Sequence, residues 1–181
     1  MINKYTEDTY APRTILPLVM NLVKPKTVVD WGCNRGFWLG EALNLGAEVI
    51  HGFDMIGYDE HFRIPERFFS QIDFEKSSPG FPCNLGISLE NIEHVSPYQA
   101  DLLHDEICKS CDVVLFSGAT IGQGGTHHVN ECHHSYWHSR FALKGFVMYD
   151  LIRWCIKDDP DIYPWYKDNI FLYSKIPLPI T

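Results

Sequence analysis

Thr27-Val28-Val29-Asp30-Trp31-Gly32-Cys33-Asn34-Arg35-Gly36 is the stretch from which the fold can be read. A β-branched run ends in an acidic residue and a glycine-punctuated turn, after which Phe37-Trp38-Leu39-Gly40-Glu41-Ala42-Leu43 has helical character. Strand, turn and helix in this order suit a nucleotide site, because a residue without a Cβ lets the backbone turn sharply and a ligand lie directly on it. Gly32 and Gly36 hold the two outer positions of the turn.

A dinucleotide fingerprint would read Gly-x-Gly-x-x-Gly, with pyrophosphate seated on the helix N-terminus. The spacing here is Asp-x-Gly-x-x-x-Gly. It resembles motif I of the class I S-adenosylmethionine-dependent methyltransferases, with Asn34 in place of the family's middle glycine. Asn is among the few other residues that tolerate positive φ. A second strand pattern, Glu48-Val49-Ile50-His51-Gly52-Phe53, ends in Asp54, at about the separation where an acidic side chain meets ribose hydroxyls in nucleotide folds. One carboxylate can accept two hydroxyl hydrogen bonds. A third acidic strand end, Asp73 followed by Phe74, looks like the family's adenine-contacting motif. For any one of these carboxylates a helix cap or a solvated loop charge is the alternative.

At 181 residues and 45% hydrophobic content the chain is expected to form a single domain, 1–181, with 1–12 as a flexible N-terminus. Net charge is −8 and no basic run occurs, so nucleic acid is a poor first guess for the substrate. Met1-Ile2-Asn3-Lys4-Tyr5-Thr6-Glu7-Asp8 lacks an apolar signal core, and no apolar run approaches the ~18 residues of a spanning helix. A cytoplasmic protein without membrane association is expected. The cysteines at 33, 83, 108, 111, 132 and 155 lack the density of a disulfide scaffold and are expected to be reduced. Cys108-Lys109-Ser110-Cys111 has metal or redox spacing, but it precedes a strand and brings no further soft ligands of its own.

Periodicity predicts helices over 14–23, 36–46, 97–110 and 134–144. Strands are predicted over 27–30, 48–53, 68–72, 84–89, 112–117, 146–150 and 169–174. Their alternation gives an α/β, doubly wound, Rossmann-like seven-stranded sheet with helices on both faces. Asp158-Asp159-Pro160 and Tyr163-Pro164 predict an irregular connection between the last two strands and an antiparallel seventh strand. Residues 56–66 and 75–82 are the expected mobile loops.

In open α/β sheets chemistry gathers beyond the carboxyl ends of the strands. There the chain offers Leu89-Glu90-Asn91-Ile92-Glu93-His94-Val95 and Ser117-Gly118-Ala119-Thr120-Ile121-Gly122-Gln123-Gly124-Gly125-Thr126-His127-His128-Val129-Asn130-Glu131. Together with Tyr136-Trp137 and Trp165-Tyr166-x-x-Asn169, these segments resemble a small branch of class I methyltransferases found in bacteria and their viruses, over residues 12–174. The resemblance implies that Asp30, Gly32, Cys33, Asn34 and Gly36 line the methionine and ribose side of S-adenosylmethionine. It further implies that Asp54 and Met55 hold the ribose, Asp73 and Phe74 the adenine, and Leu89 and Glu90 the methyl-bearing end, with S-adenosylhomocysteine as the product.

For methylation of a hydroxyl, His128 is the first choice of general base, since neutral imidazole has a suitable pKa. His127 and His94 are rivals. Glu93 could orient an imidazole or bind an acceptor, or Glu93 and His94 could simply cap the next helix. Tyr136, Trp137 and Trp165 could wall a sugar ring or belong to the core. The cluster His127, His128, Cys132, His133, His134 and His138 invites a metal reading, but its spacing is not that of an ordered site, and no metal ligand is assigned. The expected acceptor is a small molecule or a carbohydrate hydroxyl, with the oligomeric state open. The alternatives are a nicotinamide-dependent oxidoreductase on a related fold, a non-catalytic nucleoside-binding module and a histidine-cysteine metal module.

Overall fold

The computed structural model describes residues 9–179. In chain order the elements are α1 (Tyr10–Val23), β1 (Thr27–Trp31), α2 (Phe37–Asn44), β2 (Val49–Asp54), β3 (Phe69–Gln71), β4 (Leu85–Leu89), α3 (Pro97–Ser110), β5 (Val113–Ser117), α4 (His134–Leu143), β6 (Val147–Tyr149), α5 (Ile152–Ile156), α6 (Pro164–Asn169) and β7 (Phe171–Ser174). The seven strands form one sheet in the order β3-β2-β1-β4-β5-β7-β6. Strands β1 to β5 run parallel, and β7 inserts antiparallel between β5 and β6. The expected fold class, with its antiparallel last strand, is the observed one.

The two-residue alternation of strand side chains splits the apolar residues between two cores. Val28, Val113, Leu115 and Leu172 face one layer, where they meet Ile15, Leu16 and Val19 of α1 and Leu39 of α2. Val29, Trp31, Val114, Phe116 and Tyr173 face the other, where they meet Leu103 and Ile107 of α3 and Phe141 of α4. Buried on both faces, β4 and β5 carry no exposed side chain.

Departures from the sequence reading lie in the N-terminal helix and in the connection to β7. Helix α1 starts at Tyr10 and not at 14, so part of the expected flexible N-terminus is ordered. Pro12 sits in the first turn, where a missing amide costs no hydrogen bond. Met1–Asp8 lie outside the described residues. The connection between β6 and β7 contains α5 and α6 in place of an irregular run, because Pro164 occupies the first turn of α6, a position that favours proline. This shortens the expected strand 169–174 to Phe171–Ser174.

The segments expected as mobile loops have specific fastenings. In 56–66, Asp59 pairs with Arg35 at 2.8 Å, and the Tyr58 hydroxyl donates to Ile64 O. In 75–82, Pro79 O accepts from Trp31 Nε1, and Phe81 stacks on His51. Among the described residues no helix is long and apolar enough to cross a membrane.

Candidate active site

The order of connections reverses between β1 and β4, and a cleft of ≈ 580 Å³ opens beyond their carboxyl ends. Its floor is the turn after β1. Gly32 and Cys33 both donate their amides to Phe53 O, at 2.8 and 3.0 Å, which folds the turn back against the end of β2. Gly32 has φ 88° and Asn34 φ 46°, so the turn requires left-handed backbone at both. A Cβ on Gly32 would fall 2.4 Å from the Asn91 side chain. Asp54 closes the turn from the other side, accepting from the amides of Asn34 at 2.7 Å and Ile56 at 3.1 Å.

Of the residues that the sequence reading assigned to a cofactor, Asp30, Gly32, Cys33, Asn34, Asp54, Met55, Asp73, Phe74, Leu89 and Glu90 line this cleft. Gly36 does not. It caps α2 with φ 75°, and an added Cβ would meet the Ile64 side chain at 2.8 Å, so its glycine serves the helix start and packing. Residues that sequence reasoning did not assign also line the cleft. Ala11 and Pro12 come from α1, Trp38 from α2, and Tyr163 and Tyr166 from the α6 region. Trp165 lies among them, stacked on Tyr163 with ring centroids 4.3 Å apart. The other two aromatics proposed for an acceptor wall are elsewhere. Trp137 is buried in the core against Phe116, and Tyr136 donates its hydroxyl to Asp101 on the outer face.

The cleft is acidic. Asp30, Asp54, Asp73, Glu75 and Glu90 line it, and no Lys or Arg does among the described residues. Asp30 is 2% exposed, its Oδ2 has no hydrogen-bond partner, and burial first, then the charge of Asp54, raises its carboxyl well above the usual range. Asp73 lies at the opposite extreme, held below the usual range by Lys76 and the amide of Glu75. Cys33 is buried, and burial with the charge of Asp30 keeps its thiol protonated.

Next to the cleft, Glu93, His94 and His128 come together. They belong to two loops that the sequence keeps apart, joined because the amides of Val129 and Asn130 donate to Glu93 O at 2.9 and 3.1 Å. The rings of His94 and His128 meet edge to face at 4.9 Å. His128 Nδ1 lies 2.9 Å from Glu131 Oε1, and the two oxygens of Glu131 also accept the amides of Gly124 and Gly122. Burial is the first cause and the charge of Glu90 the second that raise the Glu93 carboxyl to about 8; the amides of Glu93 and Ala119 oppose the shift from outside hydrogen-bond geometry. Neither Glu93 nor His94 caps α3; its N-cap is Ser96, itself held by Glu75.

Glu90 stands between the two halves of the site with φ 48°. Its carboxylate accepts from Gln123 at 2.8 Å and Asn169 at 3.2 Å, and Asn169 also bonds Gln123 and His134. The remaining histidines of the 127–138 cluster are dispersed. His134 serves this network, and His138 bonds Tyr173 OH. Cys108 and Cys111 are buried thiols, the first raised to about 12 by burial.

No family model matches the chain, and no curated protein does. Solved structures do match. Streptomyces venezuelae DesVI shares 10% identity at a TM-score of 0.68, over 93% of this chain and 92% of that one. Magnesium protoporphyrin IX methyltransferase from Synechocystis PCC 6803, solved with SAH, shares 14% at 0.64, over 93% and 83%. Human N-acetylserotonin methyltransferase, solved with SAM, shares 16% at 0.56, over 93% and 52%, so this chain spans about half the length of some of the structures it matches. The fold is that of class I S-adenosylmethionine-dependent methyltransferases.

Proposed function

We propose that this protein is an S-adenosylmethionine-dependent methyltransferase acting on a hydroxyl of a small-molecule or carbohydrate acceptor. The observation that carries the reading is the charge of the cleft: five carboxylates line it, with no Lys or Arg among the described residues. S-adenosylmethionine carries a sulfonium and an ammonium, which such a lining attracts, whereas the pyrophosphate of a nicotinamide dinucleotide is repelled by it. The unpartnered Asp30 Oδ2 fits an incoming ammonium. Asp54 keeps lone pairs for ribose hydroxyls beyond those that bind the turn amides, and Gly32 lines the cleft floor with Asn91 packed where a Cβ would stand.

The cofactor's contribution would be an electrophilic methyl group. The protein's work is to position the acceptor and take its proton. Positioning contributes roughly 7–11 kcal/mol and a general base about 10²–10⁴-fold in rate. His128 is the candidate base: Glu131 engages Nδ1, which leaves the Nε2 lone pair to receive the hydroxyl proton. Trp165 and Tyr163 offer a flat surface for an acceptor ring.

The test is incubation with methyl-labelled S-adenosylmethionine and a panel of sugars and small hydroxyl compounds. A labelled ether product is expected, with its rate reduced about 10²–10⁴-fold in His128→Ala and S-adenosylhomocysteine affinity unchanged. Label on nitrogen or carbon would contradict the acceptor assignment. Nicotinamide-linked turnover without methyl transfer would overturn the whole reading.

A further inference from the structure

We propose that Glu93, His94 and His128 bind a divalent first-row transition-metal ion at the edge of the cleft. Each residue offers one ligand atom, and the three atoms lie within 4.8 Å of one another. Metal–ligand bonds of about 2.0–2.2 Å are reached from there by small rotations, for which the exposed ring of His94 has freedom.

Two independent observations indicate that this cluster is built for a ligand. Glu93 is 0% exposed, yet neither of its carboxylate oxygens has a hydrogen-bond partner. A carboxylate in that position lacks the pairing that buried charges otherwise have, and it has no task if the cluster acts only as an imidazole base. The second observation is the tether on His128. With Nδ1 donating to Glu131, the remaining ring nitrogen, Nε2, is the unprotonated one. A carboxylate that fixes a histidine through one nitrogen and leaves the other for a metal is the usual outer support of metal-bound imidazole. Glu131 is itself immobilised by the Gly122 and Gly124 amides. Gly125 keeps the opposite edge of the ring clear, since a Cβ there would lie 2.3 Å from Nε2.

The donor set selects the class of ion. Two imidazoles and one carboxylate suit Mn²⁺, Fe²⁺, Co²⁺ or Zn²⁺, whereas Ca²⁺ needs six to eight oxygen ligands. Glu90 is close enough to raise the Glu93 carboxyl and adds negative charge beside the site, while its oxygens accept from Gln123 and Asn169.

The purpose of the ion rests on the proposed methyltransferase reading; its binding does not. His94 lines the cleft, so open coordination positions there are accessible to an acceptor hydroxyl. The ion would lower the pKa of that hydroxyl, and the proton would pass to water. Metal and general base compete for the same Nε2 lone pair, so a loaded site replaces imidazole as the means of deprotonation.

The test uses full-length, tag-free protein stripped with a chelator and titrated with Mn²⁺, the free ion being followed by electron paramagnetic resonance. One Mn²⁺ per chain is expected for the wild type. Affinity should fall at least tenfold in Glu93→Gln and His94→Ala, and roughly 10–100-fold in Glu131→Gln. Glu93→Gln conserves volume and removes an unpaired buried carboxyl, and His94 is exposed, so both variants should keep the wild-type melting temperature. Absence of Mn²⁺ binding by the wild type, or equal binding by wild type and Glu93→Gln, overturns the site. S-adenosylhomocysteine is titrated in parallel. Mn²⁺ binding without it would support the cation site while overturning the methyltransferase reading.

Discussion

His128 Nδ1 lies 2.9 Å from Glu131 Oε1, and that carboxylate is in turn held by the amides of Gly122 and Gly124. One side chain therefore shapes a glycine-rich loop and orients the imidazole next to the cleft. Glu131→Ala should loosen both. Removing the charge-assisted bonds should lower the midpoint of chemical denaturation. The rate of methyl transfer should fall while S-adenosylhomocysteine affinity stays within a factor of about two. A loss of cofactor affinity equal to the loss of rate would contradict the division between cleft and cluster.

Asp30 separates stability from binding. Its carboxyl is raised by burial and by Asp54, so the folded protein holds this proton more tightly than the unfolded chain. The group contributes most stability below the unfolded carboxylate pKa and loses it as pH rises through the folded one. Asp30→Asn should therefore leave the melting temperature at pH 7 unchanged or higher, while S-adenosylhomocysteine affinity drops at least tenfold. A variant that melts lower and binds normally would mark Asp30 as a purely structural acid.

The two outer glycines of the turn should respond differently. Gly32→Ala forces a side chain into left-handed backbone and into Asn91 at the cleft floor. Gly36→Ala incurs the same backbone penalty of roughly 1–2 kcal/mol but collides with Ile64 away from the cleft. Calorimetry should find ligand binding abolished in the first and retained in the second, with both melting below the wild type.

His104 gives the fold an acid-sensitive point remote from the site. It is fully buried, faces Arg140 and Lys144 as well as Asp105, and its pKa is lowered from 6.5 to about 4, first by burial and then by Arg140. The neutral ring is the one that folds. Its contribution is complete above the unfolded pKa and is lost as pH falls from 6.5 towards 4, an amount of roughly 3 kcal/mol. Denaturation midpoints should decline over that window and flatten in His104→Phe, which keeps the ring contact with Phe141.

Much of this was legible in the sequence because the informative signals are local. The strand, turn and helix around Asp30 and Gly32, the acidic ends near Asp54 and Asp73, and the apolar β5 each lie in one continuous stretch. The residues that complete the cleft do not. Ala11 and Pro12 come to line it with Tyr163 and Tyr166 only through the tertiary fold. Pro164 reads as a helix breaker until its place at the first position of α6 is known. Glu93, His94 and His128 were legible singly; their meeting depends on two amides reaching the Glu93 carbonyl, which no spacing rule encodes. The signal for Glu131 was present as a carboxylate three residues after His128 in a loop. For Trp137 the sequence left acceptor wall and core both open, and the residue packs into the core.

Calorimetric titration decides whether the cleft takes S-adenosylmethionine. S-adenosylmethionine, S-adenosylhomocysteine and NAD are titrated into the wild type and Asp54→Ala. One-to-one binding of the two adenosyl sulfur compounds is expected, weakened in Asp54→Ala, with no heat from NAD. Silence from both adenosyl compounds, or preference for NAD, would contradict the methyltransferase reading.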